Sequence, residues 1–173
     1  MEMSHRFDRD KQTLQRHIHS GHYGRLDYLV GRNAWTCRKR GQWGLEYPYE
    51  IADPLLIEGL VHHFDIMRSL TRANAESVHC VTWNPEWSEF QGDAQAVMLV
   101  EMDNGVKVVY EGAKTNASQL NGWLQDYWRA ECELATLSSA PFSCMLPWSP
   151  RIRKKLSKSS HSYKNTSIRL ASK

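Results

Sequence analysis

The strongest constraint in this 173-residue sequence is a series of short alternating segments punctuated by Asn104-Gly105. Ala94 to Met102 and Val106 to Ala113 alternate apolar with other residues, the period of a strand with one buried face. Asn-Gly between two such segments predicts a hairpin closed by a tight primed turn, which needs two residues tolerant of positive φ. Ser77 to Trp83 comes before this pair and Trp128 to Leu137 after it, both with strand character. Leu26, Tyr28 and Val30 alternate with Asp27, Leu29 and Gly31 as a further strand. Five strands with short connections need one sheet and something laid on its face. Two helical stretches supply the cover. Asp8 to Ser20 places Phe7, Lys11, Leu14 and Ile18 on one side, with Gly21 as a stop. Leu55 to Leu70 follows a cap residue and a first-turn proline, Asp53-Pro54, and carries a stripe of Leu56, Leu60, Phe64 and Met67. The expected class is α+β, a mostly antiparallel open β-sheet with helices packed on one face.

The end of the chain is built differently. The formal net charge of +3 hides eight Lys or Arg and no acid in residues 151–173. Fourteen basic residues face nineteen acids in the remainder, and the last acid is Glu133. Residues 1–137 read as one domain, and 138–173 as a Ser/Lys/Arg-rich tail expected to be disordered. Such a tail could meet nucleic acid by counterion release, but only Tyr163 follows Trp148 among its aromatics, so nucleic acid is not the expected partner. No run of about 18 apolar residues exists, and the N-terminus has no apolar signal core, so no membrane association is expected. Cys37, Cys80, Cys132 and Cys144 are widely spaced, as in reduced thiols of a cytoplasmic protein.

The segment with chemical content is Glu58-Gly59-Leu60-Val61-His62-His63-Phe64-Asp65. On a helix Glu58, His62 and Asp65 stand at i, i+4 and i+7, on one face. A carboxylate one turn before a histidine can orient the imidazole and favour its charged form, which suits proton transfer near neutral pH. The same spacing occurs more often as a surface pair of a few tenths of a kcal/mol. These residue types also suit a divalent ion, but no further ligand cluster lies close in sequence, so no metal is expected. His17, His19 and His22 read as solvated helix histidines. The polar, aromatic stretch 36–53 reads as a long loop, and a second aromatic group precedes the last strand. Arg38, Arg40, Trp43 and Tyr49 in the loop, and Asn121, Trp123, Asp126, Tyr127 and Trp128 before the strand, could line a pocket for a polyol.

Several of these segments resemble the C-terminal domain of the glucose–fructose oxidoreductase / inositol dehydrogenase (Gfo/Idh/MocA) family, with its dihydrodipicolinate-reductase-like fold. Ser4-His5-Arg6-Phe7-Asp8 and the helix leading to Gly21-His22-Tyr23-Gly24-Arg25-Leu26 resemble the stretch that follows the family's nucleotide-binding domain. Glu58 to Asp65 resembles its D-x-G-x-H-x-x-D helix, with Glu in place of the commoner Asp and the glycine one place early. The resemblance implies His62 as the base that accepts a proton from a substrate hydroxyl, with Glu58 as its acidic partner and Asp65 a turn further on. It implies a sugar, cyclitol or related cyclic alcohol as substrate, NAD or NADP as cofactor of the complete enzyme, and self-association through the open sheet face. No glycine here is followed by another at i+2, so the G-x-G-x-x-G turn of a Rossmann domain is missing, as is the family's E-K-P motif. No residue of this chain is therefore expected to bind the cofactor. The chain reads as a family fragment, inactive by itself, and a non-catalytic dimerisation or subunit-docking module is the alternative.

Overall fold

The computed structural model describes residues 3–42, 44–121 and 125–139, together with the backbone of 166–170. One turn of 3₁₀ helix, Ser4–Phe7, leads into α1 (Arg9–His19). The strands are β1 (Leu26–Ala34), β2 (Ala75–Trp83), β3 (Gln95–Met102), β4 (Lys107–Ala113), β5 (Tyr127–Cys132), β6 (Ala135–Ser139) and β7 (Thr166–Leu170). They form one sheet in the order β2-β3-β4-β1-β5-β6-β7. β1 runs parallel to β4, and every other neighbouring pair is antiparallel. The α+β class and the mostly antiparallel open sheet are as expected. No helix among the described residues is long and apolar enough to cross a membrane.

Strand alternation gives the sheet two unlike faces. Toward the helices it presents Leu29, Met98, Val100, Val108, Tyr110, Trp128, Ala130 and Leu137, all buried. Leu14 and Ile18 of α1 close over them, with Ile66, Met67 and Leu70 of α2 (Val61–Thr71). Each such side chain contributes on the order of 1.5–3 kcal/mol through burial. Gly31 permits the densest part of this layer. A Cβ there would lie 2.5 Å from the Trp128 ring and 2.8 Å from that of Tyr110. The opposite face carries Val97, Leu99 and Val109, all exposed.

Five local expectations change. The Asn104-Gly105 hairpin forms, but only Gly105 takes positive φ, at 87°. Gly105 N–H donates to the Met102 carbonyl at 2.8 Å, so a type I turn finished by a left-handed glycine replaces the primed turn. The expected strand 128–137 is two strands around Glu133-Leu134. Backbone N–H groups of those two residues donate to Arg25 and Tyr23 carbonyls, so tertiary bonds hold a turn that lacks Gly, Pro or Asn. The expected helix 55–70 opens as a π turn, Leu55–Leu60, before α2 begins. Phe7 is exposed rather than part of the α1 stripe, because it belongs to the preceding 3₁₀ turn. Within the tail expected to be disordered, Thr166–Leu170 pairs with β6 as the edge strand; a short alternating segment can satisfy its backbone on an open edge whatever its composition. The rest of that tail, Trp43 and Trp123 lie outside the described residues.

Candidate active site

The N-terminal end of α2 and the 3₁₀ turn face one another. His62 stacks its ring on that of His5, with centroids 4.7 Å apart and planes 12° from parallel. Its Nδ1 is buried and makes no hydrogen bond among the described residues. Burial, then the neighbouring His5 and His63, push the His62 imidazole below its ordinary range, against a smaller upward pull from Asp126 and Asp65. Arg6 holds Asp65 with a two-pronged guanidinium–carboxylate pair, so Asp65 both faces α2 and ties the 3₁₀ turn to it.

Glu58 points elsewhere than regular helical spacing implies. The π turn widens the backbone just before α2, so Glu58 and His62 are no longer related by 3.6-residue spacing. The Glu58 carboxylate takes a hydrogen bond from the Lys114 ammonium, and the Tyr47 hydroxyl lies 3.5 Å from its other oxygen. Lys114 is 2% exposed, at the end of β4. Burial pushes its ammonium pKa down while Glu58 pulls it up. The sequence offers no signal for this lysine, because its partner lies more than 50 residues away and only the π turn brings them together. Lys114→Met is expected to lower the unfolding free energy by about 2 kcal/mol, since Glu58 keeps a largely buried charge without its cation. Urea unfolding monitored by circular dichroism measures this.

Beneath His62 lies a buried polar cluster centred on Asp126, a residue the sequence placed only among possible pocket-lining positions before the last strand. His5 Nδ1 lies 3.4 Å from Asp126 Oδ2, and His63 Nε2 lies 3.4 Å from Oδ1. The Lys11 ammonium is 3.6 Å from Oδ2, and the Asn33 amide donates to Oδ1 at 2.5 Å. The Tyr110 hydroxyl bonds His63 Nδ1 at 2.7 Å. Burial alone pushes the Asp126 carboxyl up, but His5, His63 and Lys11 outweigh it and hold the group well below the usual carboxylate range. Among the described residues, His5, His63 and Asp126 are the group whose donor atoms could hold a metal, all lying within 4.8 Å of one another. It is not the Glu58–His62–Asp65 set weighed from the sequence.

The candidate pocket residues are spread out. Arg38 donates to the Thr115 carbonyl at 2.9 Å and lies over the Trp87 ring, so it braces its own loop. Arg40 pairs with Glu46 and Glu50 and lies over Tyr49. Tyr127 precedes the inward Trp128 on β5, so it faces the open side of the sheet, under the Arg32 guanidinium. The structure keeps His62 and Asp65 together on α2, turns Glu58 to Lys114, and places Tyr127 on the other side of the sheet.

Residues 12–135 match the GFO/IDH/MocA C-terminal domain family. The uncharacterized protein y4oX of Sinorhizobium fredii is 42% identical over 134 residues, which is 78% of this chain and 37% of that protein. The fold is shared with an inositol dehydrogenase homologue of Azotobacter vinelandii complexed with NADH and myo-inositol (TM-score 0.66, 13% identity, 80% of this chain and 36% of that one). It is shared with the WlbA dehydrogenase of Bordetella pertussis in complex with NADH and UDP-GlcNAcA (TM-score 0.66, 16% identity, 80% and 42%). Myo-inositol 2-dehydrogenase of Lactobacillus plantarum superposes likewise (TM-score 0.67, 13% identity, 84% and 42%). The chain spans well under half the length of each of these relatives.

Proposed function

Because the chain belongs to the GFO/IDH/MocA family through its C-terminal domain, we propose that it supplies the substrate-binding and proton-transfer half of an NAD(P)-dependent oxidoreductase acting on a CH–OH group of a sugar, cyclitol or related cyclic alcohol. The observation that carries this reading is His62. It occupies the histidine position of the family's helix motif, with Nδ1 buried against His5 and burial favouring the neutral, proton-accepting imidazole. In this reading Nε2 accepts the hydroxyl proton. Asp65 and Asp126, the carboxylates that raise the His62 pKa, stabilise the imidazolium that results. Glu58 has its charge compensated by Lys114, so its part is to accept a hydrogen bond from a neighbouring substrate hydroxyl. The free thiols of Cys37, Cys80 and Cys132 fit a cytoplasmic setting.

Hydride removal needs an acceptor that no described residue is built to hold. The chain alone is therefore expected to give no NAD(P)-linked oxidation of any cyclic alcohol, and to catalyse that oxidation once a nicotinamide-binding unit is joined to it. Turnover by the pure chain, measured at 340 nm, would overturn this division of labour.

A second reading rests on the uncovered sheet face. Val81, Val97, Leu99 and Val109 are 68%, 47%, 41% and 43% exposed and neighbour one another across β2, β3 and β4. An apolar patch of this kind on a sheet is characteristic of an interface. Here it is a self-association or subunit-docking surface, compatible with the enzymatic role and sufficient as a function without it. Sedimentation of a Leu99→Lys variant as a smaller species than the parent would support it.

A further inference from the structure

We propose that His5, His63 and Asp126 bind one divalent transition-metal ion of the zinc class, clipping the 3₁₀ turn, α2 and the entry to β5 together. This proposal goes beyond the oxidoreductase reading and does not depend on it.

The donor set is two imidazole nitrogens and a carboxylate oxygen, which suits zinc, cobalt or ferrous ions better than the all-oxygen preference of calcium or magnesium. The three residues are 4%, 4% and 1% exposed, so the donors converge in the interior rather than gathering by chance at the surface. The spacing is informative. His5 Nδ1 to Asp126 Oδ2 and His63 Nε2 to Asp126 Oδ1 are both 3.4 Å. Both contacts are longer than the ~2.7–2.9 Å of a close charge-assisted hydrogen bond. One donor atom from each residue can be chosen so that all three lie within 4.8 Å of one another, and each imidazole nitrogen stands 3.4 Å from a carboxylate oxygen, near the ~3.3–3.4 Å between two ligands each ~2.0–2.1 Å from a tetrahedral ion.

The surroundings are those of a supported site. The Tyr110 hydroxyl bonds His63 Nδ1 at 2.7 Å; in the tautomer where the hydroxyl accepts, the proton sits on Nδ1 and the Nε2 lone pair faces the site. The Asn33 amide orients the Asp126 carboxylate through Oδ1. Asp8, Asp10 and Asp126 gather around the Lys11 ammonium. Lys11 lies 3.6 Å from Asp126 but has Asp8 at 3.4 Å and Asp10 at 3.3 Å, so it keeps two partners when an ion takes Oδ2. Three protein ligands leave a fourth position for water.

The test uses the full 173-residue chain, stripped with a chelator and titrated with cobalt(II) chloride. The expected result is one equivalent bound, with visible ligand-field bands of tetrahedral intensity, no sulfur charge-transfer band, and displacement by zinc. The melting temperature should rise by roughly 5–10 °C at a free ion concentration of about 100 times Kd. His5→Gln and Asp126→Asn should each weaken binding by more than ~100-fold, beyond the 10–100-fold typical of losing an outer-shell partner. Tyr110→Phe, which leaves all three ligands, should fall within that outer-shell range, and His79→Ala on β2 should bind as the parent does. Absence of a bound equivalent in the parent overturns the proposal. So does undiminished affinity in a folded His5→Gln variant, loss of binding in His79→Ala, or a thiolate band placing the ion at a cysteine.

Discussion

His62→Gln is expected to lower kcat by about 10²–10⁴-fold, with the KM for the alcohol little changed, once the chain is joined to a nicotinamide-binding unit. The size follows from the role. A positioned base that accepts the hydroxyl proton acts in the transition state, and glutamine keeps the shape and hydrogen-bonding capacity of the side chain without the basic nitrogen. The remainder of the Azotobacter vinelandii inositol dehydrogenase homologue, a protein complexed with NADH and myo-inositol, is a suitable donor. Binding of NAD(P)H by the chimera, read by fluorescence, separates a failed assembly from a failed base. Equal turnover by His62→Gln and the parent would remove His62 from the reaction. The stack on His5 makes a structural contribution too, so the variant's unfolding midpoint is measured alongside its rate.

Asp126→Ala is expected to destabilise the metal-free chain by about 3–5 kcal/mol, a loss large enough to unfold many domains of this size. The Asp126 side chain is completely buried and faces His5, His63, Lys11 and Asn33 at once. Removing it takes one carboxylate from the buried Lys11 cation, which keeps Asp8 and Asp10, and one acceptor from each of the two imidazoles. Asp126→Asn keeps the volume and one acceptor oxygen and should lose markedly less. Guanidinium unfolding of both variants decides the matter, and equal stability of the alanine variant and the parent would show the cluster to be energetically idle.

What could be read from the sequence depended on the range of the interaction. Strand periodicity at Ala94–Met102 and Val106–Ala113 is local, and both strands appear with nearly the expected bounds. The hairpin between them was legible, but its turn type was not, because Asn104 tolerates both signs of φ and selects the negative one here. The break between β5 and β6 was hidden because backbone bonds from a segment over 100 residues earlier hold the Glu133-Leu134 turn. The candidate site divides in the same way. His62 and Asp65 lie within one regular helix, and periodicity relates them correctly. Glu58 lies across a π turn that no residue pattern announces, and its true partner is Lys114. The Asp126 cluster draws on positions 5, 11, 33, 63 and 110, and only the folded sheet assembles it.

The most direct test of the central claim is to watch the histidines of the intact chain while cyclic alcohols are added. Imidazole resonances in ¹H–¹⁵N spectra distinguish His62 at the candidate site from His79 on the distant edge strand β2. If the chain holds the substrate and proton-transfer half of an oxidoreductase, at least one cyclitol or pyranose in a panel shifts His62 saturably, the shift weakens in Glu58→Ala, and His79 is unmoved. If no cyclic alcohol moves His62, or if the only response is at His79 on the sheet edge, the chain is not that half.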